Sequence, residues 1–193
     1  MPDLDPWSVL LGAVLSTRTK DEVTVRAFRK LIAHAPDPIA LAKLPPFRIR
    51  QLIYPVGFYR VKAKMLKNLA SQLLTQYNGV VPRTRTELLR LPGVGPKVAN
   101  IVLARAYHIP AIAVDTHVHR ISNRLGLVQT ITPKQTEHQL RQIVPQKFWT
   151  ELNPLLVALG QTVCLPRQPR CPRCPLKKLC PKSGLNPPRV GQK

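Results

Sequence analysis

The sequence predicts an all-α fold of two helical lobes, and three observations lead to this prediction. Apolar residues recur at helical spacing through most of the chain, most regularly in 60–77. Leucine is abundant while only 5% of the residues are aromatic, a balance that favours helices packed on helices. The apolar run 109–114 is the best candidate for a strand, but it is short and is expected to be a connector.

Capping signals and prolines indicate the helix boundaries in the first part of the chain. Asp5 and Pro6 are typical of an N-cap followed by the first helical residue. A second helix is expected from about Thr19 to His34, and prolines confine short helices to about 38–43 and 47–53.

The longest amphipathic stretch, 60–77, ends at the C-cap signal Asn78-Gly79. Its inward face is expected to carry four apolar side chains, Met65, Leu66, Leu69 and Leu73. Its outward face is expected to carry three lysines, Lys62, Lys64 and Lys67.

Further along, Thr84-x-x-Glu87 predicts a short capped helix, and Thr132-Pro133-x-Gln135 predicts the start of another. Residues 146–163 are expected to be helical with a kink or break at Pro154. The segment 182–193 has the composition of a disordered basic tail.

The charge balance points to a polyanionic partner, because 30 lysines and arginines against nine acidic residues leave a net charge of +21. Charge alone leaves acidic lipid, or no specific partner, as alternatives. No apolar run approaches the ~20 residues that span a bilayer, and the first residues lack the basic region of a secretion signal. A cytoplasmic protein is therefore expected.

The segment L-P-G-V-G-P-K, residues 91–97, combines a tight turn with the start of a helix. Gly93 and Gly95, with Val94 between them, let the backbone turn and leave amide groups open to an anion. The helix N-terminus adds partial positive charge, so the segment predicts a phosphate site that positions DNA without reading its sequence. An ordinary glycine-containing turn between two helices is the alternative.

Lys97 and Asp115 are the candidate catalytic residues. Lys97 lies in the first turn after the hairpin, where the positive helix end disfavours the ammonium and favours the free amine that nucleophilic attack needs. Asp115, which precedes a helix, is the only acidic residue between Glu87 and Glu137. A phosphate-binding lysine and a simple N-cap are the alternatives.

The four cysteines have the spacing Cys164-x6-Cys171-x2-Cys174-x5-Cys180. Thiols clustered in a chain without a secretion signal indicate a metal site rather than a disulfide framework. Zinc sites usually contain two close pairs, whereas only Cys171 and Cys174 are close here. Four thiolates at these uneven intervals can surround a cubic iron–sulfur cluster, and zinc is the alternative.

These segments resemble the endonuclease III branch of the helix-hairpin-helix DNA glycosylases. LPGVGPK is followed by VDTH, and the similarity covers about residues 6–181, including LSTRTKDE and the cysteine array. The resemblance implies a helical barrel domain over 1–109, ending in the helix-hairpin-helix motif at 91–100, and an iron–sulfur cluster domain over 110–181. Damaged duplex DNA is expected in a cleft between them.

The resemblance implies that Lys97 attacks C1′ of a damaged nucleoside, that Asp115 assists, and that the four cysteines hold a [4Fe-4S] cluster. The implied activity is excision of oxidised pyrimidines and nicking of abasic sites by β-elimination, in base-excision repair, by a cytoplasmic, nucleoid-associated monomer. A monofunctional mismatch glycosylase and a non-catalytic DNA-binding module are the alternatives.

The same resemblance adds further DNA-binding residues. Phe58 lies where relatives have a hydrophobic wedge, although a core position would also suit it. Arg18 stands where many relatives have a glutamine, so the preference for the opposite base is open. Arg60 and His117 join this set, His117 as a surface or hydrogen-bonding residue rather than a catalyst. The chain also begins just before the first barrel helix, whereas many relatives have an additional helix upstream.

Overall fold

A computed structural model of the chain describes residues 5–184, and within them it contains ten α-helices, two short 3-10 helices and no strand. The all-α prediction is therefore confirmed. The α-helices are α1 Pro6–Ser16, α2 Asp21–His34, α3 Pro38–Lys43, α4 Pro46–Ile53, α5 Tyr59–Tyr77, α6 Arg85–Leu88, α7 Pro96–Ala106, α8 Thr116–Arg124, α9 Pro133–Ile143 and α10 Trp149–Thr162. The 3-10 helices are Gln146–Phe148 and Cys171–Arg173. In the part of the chain that the structure describes, no helix is long and apolar enough to cross a membrane.

The predicted caps account for the helix starts. The Asp5 carboxylate accepts hydrogen bonds from the amides of Trp7 and Ser8 at the start of α1. Thr132 forms a full capping box with Gln135 at the start of α9, because each side chain accepts a bond from the backbone of the other. Helix α2 begins at Asp21 rather than near Thr19, since the intervening residues form the turn after α1.

Helix α5 ends as predicted, because Asn78 and Gly79 both adopt the left-handed conformation. The expectation that Lys62 faces outward is wrong, since only 5% of Lys62 is exposed. Its ammonium is hydrogen-bonded to oxygens near the end of α1, which the local helical pattern does not reveal.

Of the kink or break predicted at Pro154, the break is excluded, because α10 continues from Trp149 to Thr162 with Pro154 inside it. A proline there removes the amide that would bond to the Thr150 carbonyl, and its ring crowds the same carbonyl. Both residues are exposed, so water can satisfy that carbonyl, while Leu156 and Gly160 are buried on a helix that packs against α8.

The chain forms two compact units, the first ending at Ala111 and the second beginning at Ile112. In the first unit α1 supplies fully buried leucines and packs against α2 and α7, while α5 packs against α3 and α4. In the second unit α8 packs against α9 and α10 around Val118, Ile121 and Leu140. The disordered tail expected at 182–193 lies outside the described residues from 185 onward.

Candidate active site and metal centre

The hairpin between α6 and α7 is a turn anchored in the core of the first unit. The turn is closed by a hydrogen bond from the Val94 amide to the Leu91 carbonyl (3.1 Å), and the Val94 side chain is buried. Gly93 has φ of +79° and packs over Met65, whose Sδ would lie 2.3 Å from an added Cβ. The backbone conformation therefore favours glycine at position 93, and a side chain there would also displace the end of the Met65 side chain.

Gly95 differs from Gly93, because nothing lies within 4 Å of an added Cβ and its φ of −93° is open to any residue. It is the N-cap of α7, and no side chain caps this helix end. The first amides of α7 therefore keep their capacity to bind an anion. Lys97 is half-buried and lies in this first turn, two residues after Gly95.

Asp115 caps α8 in the second unit, and it does so with one oxygen. Its Oδ1 accepts bonds from the amides of His117 (2.9 Å) and Val118 (2.8 Å). Neither bond involves Oδ2, so the half-buried carboxylate can cap the helix and still present an oxygen to a second group.

His117 packs into the second unit. An added Cβ on Gly160 would lie 2.3 Å from its Nδ1, so the imidazole lies directly on α10. Arg120 Nη2 lies 3.3 Å from the same nitrogen and donates a bond to the Cys164 carbonyl (2.8 Å). Burial is the main reason that the pKa of Arg120 is lowered.

All four cysteines have free thiols and line one cavity in the second unit. Arg124 binds the start of this segment, with Nη1 3.4 Å from Cys164 Sγ and 2.7 Å from the Leu165 carbonyl. The Arg124 backbone carbonyl accepts a bond from Cys180 Sγ at 3.4 Å, so this residue contacts the first and last cysteine. Four thiols on one cavity are a donor set that suits an iron–sulfur cluster.

The cysteine side chains do not converge on one point. Within residues 5–184, no three histidine, cysteine or acidic side chains are arranged to hold a metal ion. The features that favour a metal centre here are the common cavity of the four thiols and the hydrogen bonds from the Arg124 guanidinium to the Leu165 and Pro166 carbonyls.

Arg18 and Phe58 lie together on the surface of the first unit. The Arg18 guanidinium carbon is 5.3 Å from the centre of the Phe58 ring, and 60% of Phe58 is exposed. Phe58 precedes α5, where Arg60 is exposed and its guanidinium lies over the Tyr59 ring at 5.8 Å. The exposure of Phe58 excludes the core position that the sequence left open.

Lys62 is the residue near these side chains that sequence reasoning misplaced. Burial lowers its pKa to about 8. The spacing of Lys62 to Leu66 and Leu69 (i, i+4, i+7) places it on the buried face of α5, which is the signal that separates it from the exposed Lys64.

Comparison with known proteins identifies the class that this fold and these residues define. Residues 11–146 match the family model described as "HhH-GPD superfamily base excision DNA repair protein". The chain is 46% identical to endonuclease III of Thermotoga maritima over 92% of this chain and 84% of that protein. It is 44% identical to endonuclease III-like protein 1 of Mus musculus, covering 93% of this chain and only 61% of the mouse protein.

A solved structure is also closely similar. It is described as a trapped endonuclease III–DNA covalent intermediate in an estranged-adenine complex. Its TM-score is 0.88 at 37% identity, over 93% of this chain and 84% of that one. The chain therefore belongs to the HhH-GPD superfamily of base excision DNA repair proteins, within the endonuclease III family.

The two hairpin glycines are expected to respond to alanine to different extents. Gly93→Ala should destabilise the first unit by about 1–3 kcal/mol, because alanine is strained at positive φ. Gly95→Ala should change the stability much less, because the gain of about 0.4–1 kcal/mol from restricting the unfolded chain is opposed by the poorer N-capping of alanine. Urea unfolding followed by circular dichroism measures both, and equal losses would contradict the different environments of the two glycines.

Proposed function

We propose that this protein is a bifunctional DNA glycosylase and abasic-site lyase that removes oxidised pyrimidines in base-excision repair. The observation that carries the proposal is Lys97, a half-buried amine in the first turn of a helix whose N-terminus no side chain caps. The similarity to endonuclease III over most of the chain supports it.

The open N-terminus of α7 is proposed to bind a phosphate of the DNA backbone. Gly95 has no steric or conformational need to be glycine, so the absence of a side chain there serves close approach of a ligand. Val94 then acts as the core anchor of the hairpin, since its side chain is buried and its amide is already bonded. Affinity for undamaged duplex is expected to fall in the Gly95→Ala variant, because a side chain at position 95 hinders the approach of a phosphate.

Lys97 is proposed to be the nucleophile. Its free amine attacks C1′ of the damaged nucleoside, and the electron pair of the N-glycosidic bond leaves with the base, which takes up a proton. The nucleotide must leave the duplex stack for the amine to reach C1′. The C1′–N bond to Lys97 then becomes a Schiff base as the sugar ring opens.

The Schiff base makes strand cleavage possible. Removal of a C2′ proton drives β-elimination, in which the C3′–O bond breaks and its electron pair leaves with the 3′-phosphate. Water then hydrolyses the imine and returns Lys97 as an amine.

Asp115 is proposed to assist base excision. The glycosidic bond breaks through a cation-like sugar, and a nearby carboxylate lowers the energy of that positive charge. The same carboxylate is suited to accept the proton that Lys97 loses on attack. Oδ2 is the oxygen assigned to this task, because Oδ1 holds the cap of α8.

The four cysteines are proposed to hold a [4Fe-4S] cluster with a structural role. Their spacing, their common cavity and the arginine bonds at Cys164 support this assignment. When bound, the cluster would fix a segment rich in positive side chains that suits contact with phosphates, Arg167, Arg170, Arg173, Lys177 and Lys178.

We also propose the partner of this protein and the side chains that contact it. Double-stranded DNA with damaged pyrimidines or abasic sites is the substrate, bound by one copy of the protein, and the domains remain those proposed from the sequence, 1–109 and 110–181. Arg18, Phe58, Arg60 and His117 are assigned to DNA contact, with Phe58 entering the duplex. The activity would be exerted in the cytoplasm, at the nucleoid.

Borohydride should trap a covalent adduct between the protein and an abasic-site duplex, and the modified peptide should contain Lys97. Lys97→Gln should abolish trapping and nicking while binding persists, because many other cations still contact phosphate. Excision without trapping would instead indicate a monofunctional glycosylase, and binding alone would indicate a DNA-binding module.

Asp115→Asn removes the negative charge with little change in the size of the side chain. Asparagine keeps one carbonyl oxygen for the two amides of α8, so the cap and the fold should survive. Base excision should fall by about two to four orders of magnitude, the range that a positioned acid–base group supplies. Normal single-turnover excision by a folded variant would refute this role for Asp115.

The protein prepared without oxygen should be brown and contain about four iron and four sulfide per chain. Iron and sulfide assays with metal analysis measure this content. Stoichiometric zinc without inorganic sulfide would overturn the cluster assignment.

Phe58→Ala should slow excision from duplex DNA more than it slows nicking of an unpaired, single-stranded abasic site. The reason is that a wedge acts on the base stack, which the single strand lacks. The ratio of the two rates is the readout, and an unchanged ratio would contradict the wedge.

A further inference from the structure

The Lys62 ammonium joins two connections of the first unit that are far apart in sequence. It lies in the first turn of α5 and donates to the Leu15 carbonyl (2.9 Å), the Thr17 carbonyl (2.5 Å) and Thr19 Oγ1 (3.2 Å). An ammonium has three donors, so all of them are used. These acceptors lie at the C-terminus of α1, which has no basic residue in its own last turn.

Thr19 Oγ1 extends this contact to the loop before α5. It accepts a bond from the Gly57 amide (3.1 Å) as well as from Lys62, and it donates to the Thr17 carbonyl (3.1 Å). Gly57 lies so close that an added Cβ would be 2.2 Å from the Arg18 carbonyl oxygen. The turn 17–20 and the loop 54–58 are thus packed backbone to backbone.

The two residues presented by these connections both have unfavourable backbone conformations. Arg18 has φ of 51° and Phe58 has φ of 57°, a region that side chains other than glycine rarely adopt. Such conformations persist where surrounding bonds enforce them. Lys62 is hydrogen-bonded to both connections. Its ammonium donates to the Thr17 carbonyl, and its backbone amide donates to the Phe58 carbonyl (2.9 Å).

We propose that Lys62 is a positioning residue for lesion search, which holds the Arg18 turn against the Phe58 loop so that both side chains meet the duplex in one fixed arrangement. The inference rests on the proposed function, in which Arg18 and Phe58 contact DNA. Lys62 then affects the rate at which the duplex is opened, and other residues carry out the chemistry at C1′.

The Lys62 ammonium gains three hydrogen bonds at the end of α1 at the cost of its desolvation. Burial disfavours the ammonium and lowers its pKa to about 8, and within residues 5–184 no carboxylate pairs with it. That penalty is complete below pH 8 and is relieved as the pH rises toward the ordinary value of 10.5. The charged groups of the surrounding elements, Arg18, Lys20, Asp21, Glu22, Arg60 and Lys64, are all exposed.

The test compares Lys62→Met with Lys67→Met. Lys67 is a matched control on the same helix, because its ammonium also binds two carbonyls at a helix end, those of Ala42 and Leu44, but at α3. The readout is the rate of excision from a duplex divided by the rate of nicking a single-stranded abasic site. Lys62→Met should lower this ratio about 10- to 100-fold, the effect of a small displacement of positioned groups, and Lys67→Met should leave it unchanged.

Two further variants keep the test decisive. Lys62→Arg should recover most of the ratio because it retains a cation with several donors, and Lys62→Gln serves if the methionine variant does not fold. The combination of Lys62→Met with Phe58→Ala should lower the ratio no further than the larger single effect, because both changes act on one step. Equal ratios for Lys62→Met and Lys67→Met, or additive effects in the double variant, would overturn the proposal.

The pH dependence supplies an independent readout. In the unmodified protein the ratio should fall as the pH rises through about 8, where Lys62 loses its proton, while in Lys62→Arg it should stay level. A level ratio from pH 7 to 9 in the unmodified protein would refute the role of the ammonium. Absence of excision and trapping altogether would instead refute the proposed function, and an unchanged ratio in Phe58→Ala would refute the wedge.

Discussion

The free hydrogen-bonding groups at helix ends are the constraint on which this structure depends. In a fold of short helices and short turns, every helix exposes amides at one end and carbonyls at the other, and these need partners. Side chains of Asp5, Asp37, Thr84, Asp115 and Thr132 cap N-termini. Lysines of α5 bind the carbonyl ends of α1 and α3. The N-termini of α2, α4, α5, α7 and α10 have no side-chain cap, and among them that of α7 is formed by glycine followed by proline.

Asp115 can act as the N-cap of α8 and still be available for chemistry. A carboxylate has two oxygens, and the cap of α8 occupies only Oδ1. The helix thereby fixes the carboxylate in place, while Oδ2 keeps its capacity for a further partner. The simple N-cap and the catalytic residue, which are alternatives in the sequence, are compatible in the structure. The choice between them therefore depends on chemistry at Oδ2 and not on whether the cap exists.

Features set by neighbouring residues could be predicted from the sequence, and those set by distant residues could not. The caps of α1 and α9 and the left-handed end of α5 depend on residues within one turn, and they were predicted correctly. Lys62 has the helical spacing of the buried face of α5, but its charge suggested an exposed side chain, because the oxygens that satisfy the ammonium lie 43 to 47 residues earlier in the chain. The absence of a break at Pro154 has a related reason, since packing against α8 maintains α10 where local propensity favours an interruption. Lys97 was located in the hairpin by its motif, whereas the exposure of Phe58 required the structure.

Residues that the free protein does not need are the strongest structural indication of a ligand. Gly93 is favoured by its backbone conformation and by the proximity of Met65, so it carries no information about DNA. Gly95, two positions later, is favoured by neither, and a side chain there would meet only open space. Lys62 differs from Gly95, because its ammonium satisfies carbonyls at the end of α1 that an apolar side chain would leave without this partner. A phosphate bound at α7 would give the bare position at Gly95 its purpose, and a duplex against Arg18 and Phe58 would do the same for the arrangement that Lys62 holds.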